Sequence, residues 1–196
     1  MLIKVCGMTR ADNIREIDNL GVDLIGFIFY PRSPRYLCEV PSYLPVRAQR
    51  VGVFVNEHKA VMLETARRFG LDYLQLHGDE SPHLCRELTD EGFQVIKATT
   101  VANAARYSKD AVRYLLFDTP TPSYGGSGQS FDWKLLQHYT GDVPFLLSGG
   151  IGADSVEAIK TFAHARLAGI DLNSRFETEP GIKNIELLRT FIEQIR

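Results

Sequence analysis

Cysteine is scarce in this chain, and the three cysteines present, Cys6, Cys38 and Cys85, lie far apart. Their odd number and wide spacing predict free thiols in a reducing compartment and argue against a disulfide framework or a zinc site. The five histidines are also scattered, and no two of them stand at the spacing of metal ligands on one helix face. We therefore expect a cytoplasmic protein without a bound metal.

Long apolar runs and a surplus of one charge are missing as well. No apolar stretch reaches the roughly 18 residues that cross a bilayer, and the N-terminus lacks the basic and then apolar order of a signal peptide. The 22 basic and 24 acidic side chains give a formal net charge of -2, which indicates neither a nucleic-acid nor a membrane partner. A chain of 196 residues can bury a core as one domain, and we expect a single domain over 1–196.

Eight short apolar runs recur along the chain and are typical of strands. They cover 2–6, 23–29, 50–55, 72–77, 93–99, 114–119, 144–150 and 167–174. Segments with a helical period lie between most of them, at 11–20, 58–69, 81–91, 132–139, 154–162 and 185–195. Ser81, followed by Pro82, and Asp154 are predicted helix N-caps. Two prolines in 37–50 predict a short or irregular helix there.

This alternation predicts parallel βα units of the α/β class. Eight units of about 24 residues leave room only for short loops, which favours a (β/α)8 TIM barrel of minimal length. The competing architecture is an open, doubly wound sheet. Its usual G-x-G-x-x-G after the first strand is absent, because the first run continues as CGMTRAD.

The predicted strand ends are more polar than the strand interiors, and active sites of such barrels lie at the carboxyl ends of the strands. Because residues two apart share a face of a strand, Lys4 and Cys6 should point the same way, as should Gln75 and His77. The residues at positions 116 and 118 should also share a face of their strand, as should those at 97 and 99 and those at 171 and 173. If these faces point inward, the mouth holds a thiol, a carboxylate, an imidazole and one or two ammonium groups, which is a set suited to acid–base chemistry.

Each of these side chains also has a structural interpretation. Cys6 can be a small buried hydrophobe, and Asp118 can cap the turn that follows it. His77 can be a hydrogen-bonded core residue, and Lys97 can pair with a neighbouring acid. Cys38 and Cys85 are interpreted as structural.

The loops after the predicted strands leave similar alternatives open. The glycine-rich segment 119–130 is either a mobile lid or a flexible surface loop. Gly149 and Gly150 either approach an anion with their N–H groups or permit a tight turn. Loops after strands seven and eight of such barrels often bind phosphate, so Asn173 and Ser174 join them as candidate ligands of a phosphorylated substrate.

Several motifs together resemble the phosphoribosylanthranilate isomerase family of tryptophan biosynthesis, over the whole chain. They are KVCGMT (4–9), GFIFYPRSPRY (26–36), RVGVFVN (50–56), LQLHGDE (74–80), LLFDTPTPSYGGSGQSFDW (115–133), LSGGI (147–151) and DLNSRFE (171–177). One departure stands in the last motif, where Arg175 replaces the glycine of many members.

The resemblance implies an Amadori rearrangement of N-(5-phosphoribosyl)anthranilate without a metal or organic cofactor. Cys6 matches the family's general base and Asp118 its general acid. The resemblance also implies that Arg35 receives the anthranilate carboxylate. Phosphate binding is implied for Gly149, Gly150, Asn173 and Ser174.

We expect two further residues to support the catalytic pair, and other functions are left open as alternatives. We expect the Lys4 ammonium to lower the pKa of Cys6, with His77 as a second supporting residue. The alternatives are a related phosphosugar enzyme, either the histidine-pathway isomerase or indoleglycerol phosphate synthase, and a phosphosugar-binding protein without catalysis. The oligomeric state, monomer or homodimer, is left open.

Overall fold

Eight parallel strands close into a barrel in the computed structural model, which describes residues 1–118 and 133–196. The strands are β1 Leu2–Val5, β2 Leu24–Ile28, β3 Gln49–Phe54, β4 Tyr73–Leu76, β5 Gln94–Thr99, β6 Tyr114–Phe117, β7 Phe145–Leu147 and β8 Leu167–Leu172. Each strand pairs with the next one along the chain, and β8 pairs with β1, where Lys4 stands opposite Asp171. The predicted (β/α)8 barrel is confirmed, and every strand overlaps a predicted apolar run.

Helices cover the outside of the barrel. They are α1 Ala11–Asn19, α2 Lys59–Phe69, α3 Pro82–Asp90, α4 Val156–Thr161 and α5 Ile185–Ile195. Short 3-10 helices stand at Val101–Arg106, Trp133–His138, Ala153–Ser155 and Ser174–Phe176. None of the helices in the described part of the chain is long and apolar enough to cross a bilayer. The glycine-rich segment 119–130, for which a lid and a surface loop were left open, and the start of the predicted helix 132–139 lie outside the described residues.

One of the two predicted N-caps is correct. Ser81 caps α3, because its Oγ accepts the Leu84 N–H at 3.2 Å and Pro82 occupies the first turn, where its missing N–H costs nothing. Asp154 does not cap a helix. It lies inside the 3-10 turn before α4, and its carboxylate accepts a hydrogen bond from Arg175 instead.

The connection after β2 contains no helix, whereas its prolines predicted a short or irregular one. The buried carboxylate of Asp18 in α1 organises it by accepting the N–H groups of Val46, Arg47 and Ala48 and the Tyr43 hydroxyl. Burial acts to raise the pKa of Asp18, but these hydrogen bonds outweigh burial and lower it. The Asp18 carboxylate thereby fixes the backbone of a connection that contains no helix.

Two apolar layers hold the fold together. The barrel interior is filled by residues of alternating strand positions, which are Leu24, Val51, Tyr73, Ile96, Tyr114, Leu116 and Leu146. A larger layer lies between the strands and the helices. Because Ile96 and Ala98 face the interior, Lys97 and Thr99 must face the outer layer. The condition that these faces point inward is therefore not met for Lys97 and Thr99.

A small antiparallel hairpin follows β8 and was not predicted. It consists of β9 Glu177–Glu179 and β10 Ile182–Lys183. Gly181 in its turn has a φ of +90°, a conformation that glycine adopts without steric cost. The hairpin carries two charged side chains, Glu177 and Lys183, back toward the carboxyl ends of the strands.

Because of Cys85 in α3, we expect the free energy of unfolding to fall at alkaline pH. Burial raises the pKa of this thiol from 9.0 to about 11. An unfolded thiol ionises near 9 while the folded one stays protonated, so ionisation favours the unfolded state. We expect about 2 to 3 kcal/mol of unfolding free energy, fully present below pH 9, to be lost by about pH 11.

Urea unfolding of wild type and Cys85→Ala between pH 8 and 11 tests this expectation. The alanine variant should be less stable at pH 8, because it leaves a cavity, but its unfolding free energy should fall less steeply above pH 9. Parallel pH profiles would contradict the assignment.

Candidate active site

Cys6 stands directly after β1 and is 3% exposed. Its backbone N–H donates to the Leu172 carbonyl at 2.9 Å, so the closing pair of strands fixes the position of the thiol. Gly26 on β2 makes space for it, because a Cβ at that position would lie 2.7 Å from the Cys6 Sγ. Position 26 therefore requires glycine, because the side chain of any other residue would collide with the thiol.

Lys4 forms a buried ion pair with Asp171 across the closing strands. The Lys4 Nζ lies 2.9 Å from Asp171 Oδ1, and the two side chains are 0% and 6% exposed. Cys6, two residues further on, is close enough to Lys4 for the two groups to affect each other's pKa. Burial acts to lower the pKa of Lys4, but the charges of Asp171 and Cys6 outweigh burial and raise it. Lys4 is therefore a stable ammonium beside the thiol.

The pKa of Cys6 is raised, contrary to expectation. Burial is the largest cause and disfavours the thiolate. Lys4 opposes it, as predicted, but Asp171 partly cancels the charge of Lys4. Lys183 contributes a further, smaller lowering effect. Lys4 therefore acts on the Cys6 pKa in the predicted direction, but burial outweighs it.

A chain of polar side chains leads from β4 to Asp118. Gln75, which is 1% exposed, places its Nε2 3.0 Å from His77 Nδ1, and His77 Nε2 lies 3.4 Å from Asp118 Oδ2. If the Gln75 amide donates to Nδ1, the proton of a neutral imidazole is on Nε2 and faces Asp118. The imidazole then acts as a donor to the carboxylate.

Asp171 connects this chain to the thiol. Besides its bond to Lys4, it is influenced by the charges of Asp118 and His77, which act in opposite directions on its pKa. Burial is the largest cause and raises the pKa of Asp171, while Lys4 opposes it. Because β1, β4, β6 and β8 are parallel members of one barrel, Cys6, His77, Asp118 and Asp171 meet at the same carboxyl-terminal rim.

Arg35 is buried next to Cys6. Its Nε and Nη2 donate to the two carboxylate oxygens of Glu177 at 2.8 and 2.7 Å, and the residue is 7% exposed. Its side chain passes over Gly7, where a Cβ would lie 2.6 Å from Arg35 Cδ. Arg35 is therefore a buried, paired arginine and not a solvated loop residue.

The loop after β7 has the backbone that its glycines predict. Gly149 and Gly150 have φ values of +84° and +67°, both in the left-handed region. The Gly150 carbonyl accepts a hydrogen bond from Arg175 Nη1 at 2.9 Å, and Arg175 Nη2 donates to Asp154 at 2.9 Å. Arg175, the departure from the family motif, therefore ties the loop after β8 to the loop after β7.

Asn173 and Ser174 lie on the neighbouring loop. Ser174 begins the 3-10 helix Ser174–Phe176, and the Asn173 Oδ1 accepts a hydrogen bond from Lys183 Nζ at 2.8 Å. The four predicted phosphate ligands thus occupy two adjacent loops at the same rim. Their binding of phosphate stays a prediction.

Lys97 forms a separate buried cluster in the outer layer. Its Nζ donates to Glu80 Oε2 at 3.1 Å and to the Gly78 carbonyl at 2.7 Å. Glu80 also accepts the Asn56 N–H at 2.8 Å, which holds Asn56 at a φ of +51°. Lys97 is therefore the lysine paired with a neighbouring acid, and this cluster supports the loop that follows His77.

Sequence reasoning missed three members of the site: Gly26, Glu177 and Lys183. Pro180 and Gly181 are a turn dipeptide that could have revealed the hairpin. No local signal indicates that its two charged residues fold back onto Arg35. The described residues hold no group of three His, Cys, Asp or Glu side chains arranged to bind a metal ion.

Known proteins resemble this chain over its whole length. A family model described as N-(5'phosphoribosyl)anthranilate (PRA) isomerase matches residues 3–194. An N-(5'-phosphoribosyl)anthranilate isomerase of Parabacteroides distasonis is 48% identical and covers 100% of this chain and 93% of that protein. The corresponding protein of Phocaeicola vulgatus is 47% identical, with coverage of 100% and 98%.

Solved structures agree with the sequence relatives. The phosphoribosyl anthranilate isomerase of Thermotoga maritima superposes with a TM-score of 0.81 at 35% identity and covers 100% of this chain and 98% of that one. A phosphoribosyl anthranilate isomerase in complex with reduced 1-(o-carboxyphenylamino)-1-deoxyribulose 5-phosphate has a TM-score of 0.82 at 31% identity, with the same coverage. Barrel, motifs and relatives agree, and the chain belongs to the N-(5'-phosphoribosyl)anthranilate isomerase family.

Proposed function

We propose that this chain converts N-(5'-phosphoribosyl)anthranilate into 1-(2-carboxyphenylamino)-1-deoxyribulose 5-phosphate, with Cys6 as general base and Asp118 as general acid. The observation that carries the assignment of roles is the placement of both groups at one rim. The thiol and the carboxylate follow different strands, and each has a polar partner, the buried Lys4 and the half-buried His77 respectively. An aldose-to-ketose isomerisation needs such a pair on the two sides of one carbon skeleton.

The reaction moves protons only. Asp118 protonates the furanose ring oxygen, and the ring opens to a Schiff base whose iminium makes the C2 proton acidic. Cys6 removes that proton, and the resulting enolamine tautomerises to the ketone. The substrate's own nitrogen is the electron sink, so the proposed chemistry needs no metal or organic cofactor.

The raised pKa of Cys6 in the unliganded site is compatible with this role. Burial disfavours a thiolate as long as no additional cation is present. The iminium is a cation formed beside the thiol in the same low-dielectric space, where opposite charges stabilise each other strongly. Formation of the base is thereby coupled to opening of the substrate ring.

Recognition of the two anionic ends of the substrate is assigned to different loops of the rim. We assign the anthranilate carboxylate to Arg35. The phosphate is assigned to Gly149, Gly150, Asn173 and Ser174, because left-handed glycines expose N–H groups to an anion. We further propose one catalytic domain acting in the cytoplasm, as a monomer or homodimer and without a nucleic-acid or membrane partner.

Turnover of the unstable substrate tests the function. The substrate is made in situ from anthranilate and phosphoribosyl pyrophosphate with the preceding transferase, and decay of its anthranilate-type fluorescence is followed. We expect this protein to accelerate the decay in proportion to its concentration. No acceleration by a protein whose circular dichroism shows a folded state would contradict catalysis and favour a binding protein.

A further inference from the structure

The hairpin β9–β10 places the charged side chain of Lys183 deep in the site. The proposed reaction as described so far gives this residue no role. The Lys183 side chain is 0% exposed. Two hydrogen bonds hold the Lys183 backbone against α1. The Lys183 N–H donates to Asn13 Oδ1 at 2.8 Å, and Asn13 Nδ2 donates to the Lys183 carbonyl at 3.0 Å. A lysine held this firmly at both backbone groups is not a solvated hairpin residue.

The Lys183 ammonium completes the surroundings of Glu177. Its Nζ lies 2.6 Å from Glu177 Oε1, and the same oxygen accepts from Arg35 Nε and from the Gly181 N–H. The other oxygen accepts from Arg35 Nη2. With both oxygens engaged, Glu177 can hold the planar guanidinium of Arg35 in only one orientation.

The orientation of Arg35 leaves one edge of its guanidinium available. Within residues 1–118 and 133–196, its Nη1 donates to no side-chain or backbone acceptor, while Nε and Nη2 face Glu177. The Arg35 stem crosses Gly7, the residue after Cys6, and the guanidinium is close enough to the thiol for the two groups to interact electrostatically. A carboxylate bound there would sit next to the proposed base.

The charges of the cluster do not balance. Two cations, Arg35 and Lys183, share the single anion Glu177, and Asn173 adds only a neutral acceptor. Lys4 does not change this count, because it is paired with Asp171. A buried surplus of one positive charge is costly unless an anion joins it.

We propose that Lys183 is a positioning residue for the substrate's carboxylate: through Glu177 it orients Arg35, and it supplies the surplus charge that the carboxylate neutralises. The inference rests on the proposed function, since it deepens the assignment of Arg35. It predicts that Lys183 matters for the aromatic carboxylate and not for the remainder of the ligand.

A pair of ligands isolates this effect. Reduced 1-(o-carboxyphenylamino)-1-deoxyribulose 5-phosphate and its counterpart without the ring carboxylate are titrated calorimetrically against wild type, Lys183→Met and Lys183→Gln. In wild type the ligand with the carboxylate should bind at least about 100-fold more tightly than the other. In both variants we expect this ratio to fall about tenfold or more, while the Kd of the ligand without the carboxylate changes little.

Lys97→Met is the matched control, because Lys97 is also a fully buried lysine paired with a glutamate. It should weaken both ligands alike and keep the ratio. An unchanged ratio in Lys183→Met, or an equal loss for both ligands, would make Lys183 a structural residue only and overturn the inference. If Lys183→Gln alone retained the ratio of the two affinities, the proposed role of the surplus positive charge would be wrong. Wild type that binds neither ligand would instead refute the proposed function.

A crystal structure of wild type with the reduced ligand keeps the inference testable if the variants fail to fold. The carboxylate should lie on the Nη1 side of Arg35 with the bonds among Arg35, Glu177 and Lys183 retained. A carboxylate bound elsewhere, or Arg35 turned away from Glu177, would contradict it.

Discussion

Cys6→Ala and Asp118→Asn should each lower kcat by about 10²- to 10⁴-fold, the range that general acid–base groups contribute. The alanine variant has no group that can accept the C2 proton. The asparagine variant keeps the shape of Asp118 beside His77 but cannot protonate the ring oxygen. Fluorescence decay under substrate saturation measures both effects directly.

The control for the thiol is Cys85→Ala, which removes another fully buried cysteine that lies in helix α3 and follows no strand. Its kcat should stay within a few-fold of wild type. The double variant Cys6→Ala with Asp118→Asn should be little slower than the slower single variant, because two groups acting in one sequence of proton transfers are not additive. A kcat of Cys6→Ala close to that of wild type would remove the thiol from the mechanism.

Lys4→Met should produce the largest loss of stability among single substitutions at the rim. It leaves the buried Asp171 carboxylate without its partner, and breaking such a pair costs about 3–5 kcal/mol of unfolding free energy. Asp171 escapes part of this cost by taking up a proton, since burial already favours its neutral form. Equilibrium unfolding in urea at neutral pH measures the loss.

The same variant tests the link between Lys4 and the thiol. Lys4 acts to lower the pKa of Cys6, so its removal should move the thiolate titration to higher pH. Ultraviolet absorbance of the thiolate, taken as the difference from the matched Cys6→Ala protein, follows this titration. A titration at the wild-type pH would show that Lys4 is not the relevant cation.

The double variant Lys4→Met with Asp171→Leu separates the ion pair from packing. Replacement of both buried charges by apolar groups is often nearly neutral for stability. We therefore expect the double variant to recover most of the loss. If it is as unstable as Lys4→Met alone, lost packing explains the effect, and the ion pair does not.

Local patterns were enough to predict the barrel and the position of the site. Strand and helix periods depend on neighbouring residues, so eight apolar runs predicted eight strands, and Cys6, His77 and Asp118 could be placed at their ends. Ser81 was a correct N-cap for the same reason. The resemblance of the motifs added the family, which the known relatives confirm.

Only the tertiary structure decided which charged groups meet. Lys4 and Asp171 are 167 residues apart, and Arg35 and Glu177 are 142 apart. These pairs exist because closure of the barrel brings β8 against β1, and periodicity carries no information about such contacts. The raised pKa of Cys6 has the same origin, since burial outweighs a lysine whose charge Asp171 partly cancels.

Sequence therefore determined the fold class, the strand ends and the residue types that can exchange protons. The outward direction of Lys97, the role of Arg175 as a link between two loops, and the return of Lys183 to Arg35 depended on the folded chain. The physical reason is that strands and helices follow from local periods, whereas electrostatic partners follow from the distances that folding creates.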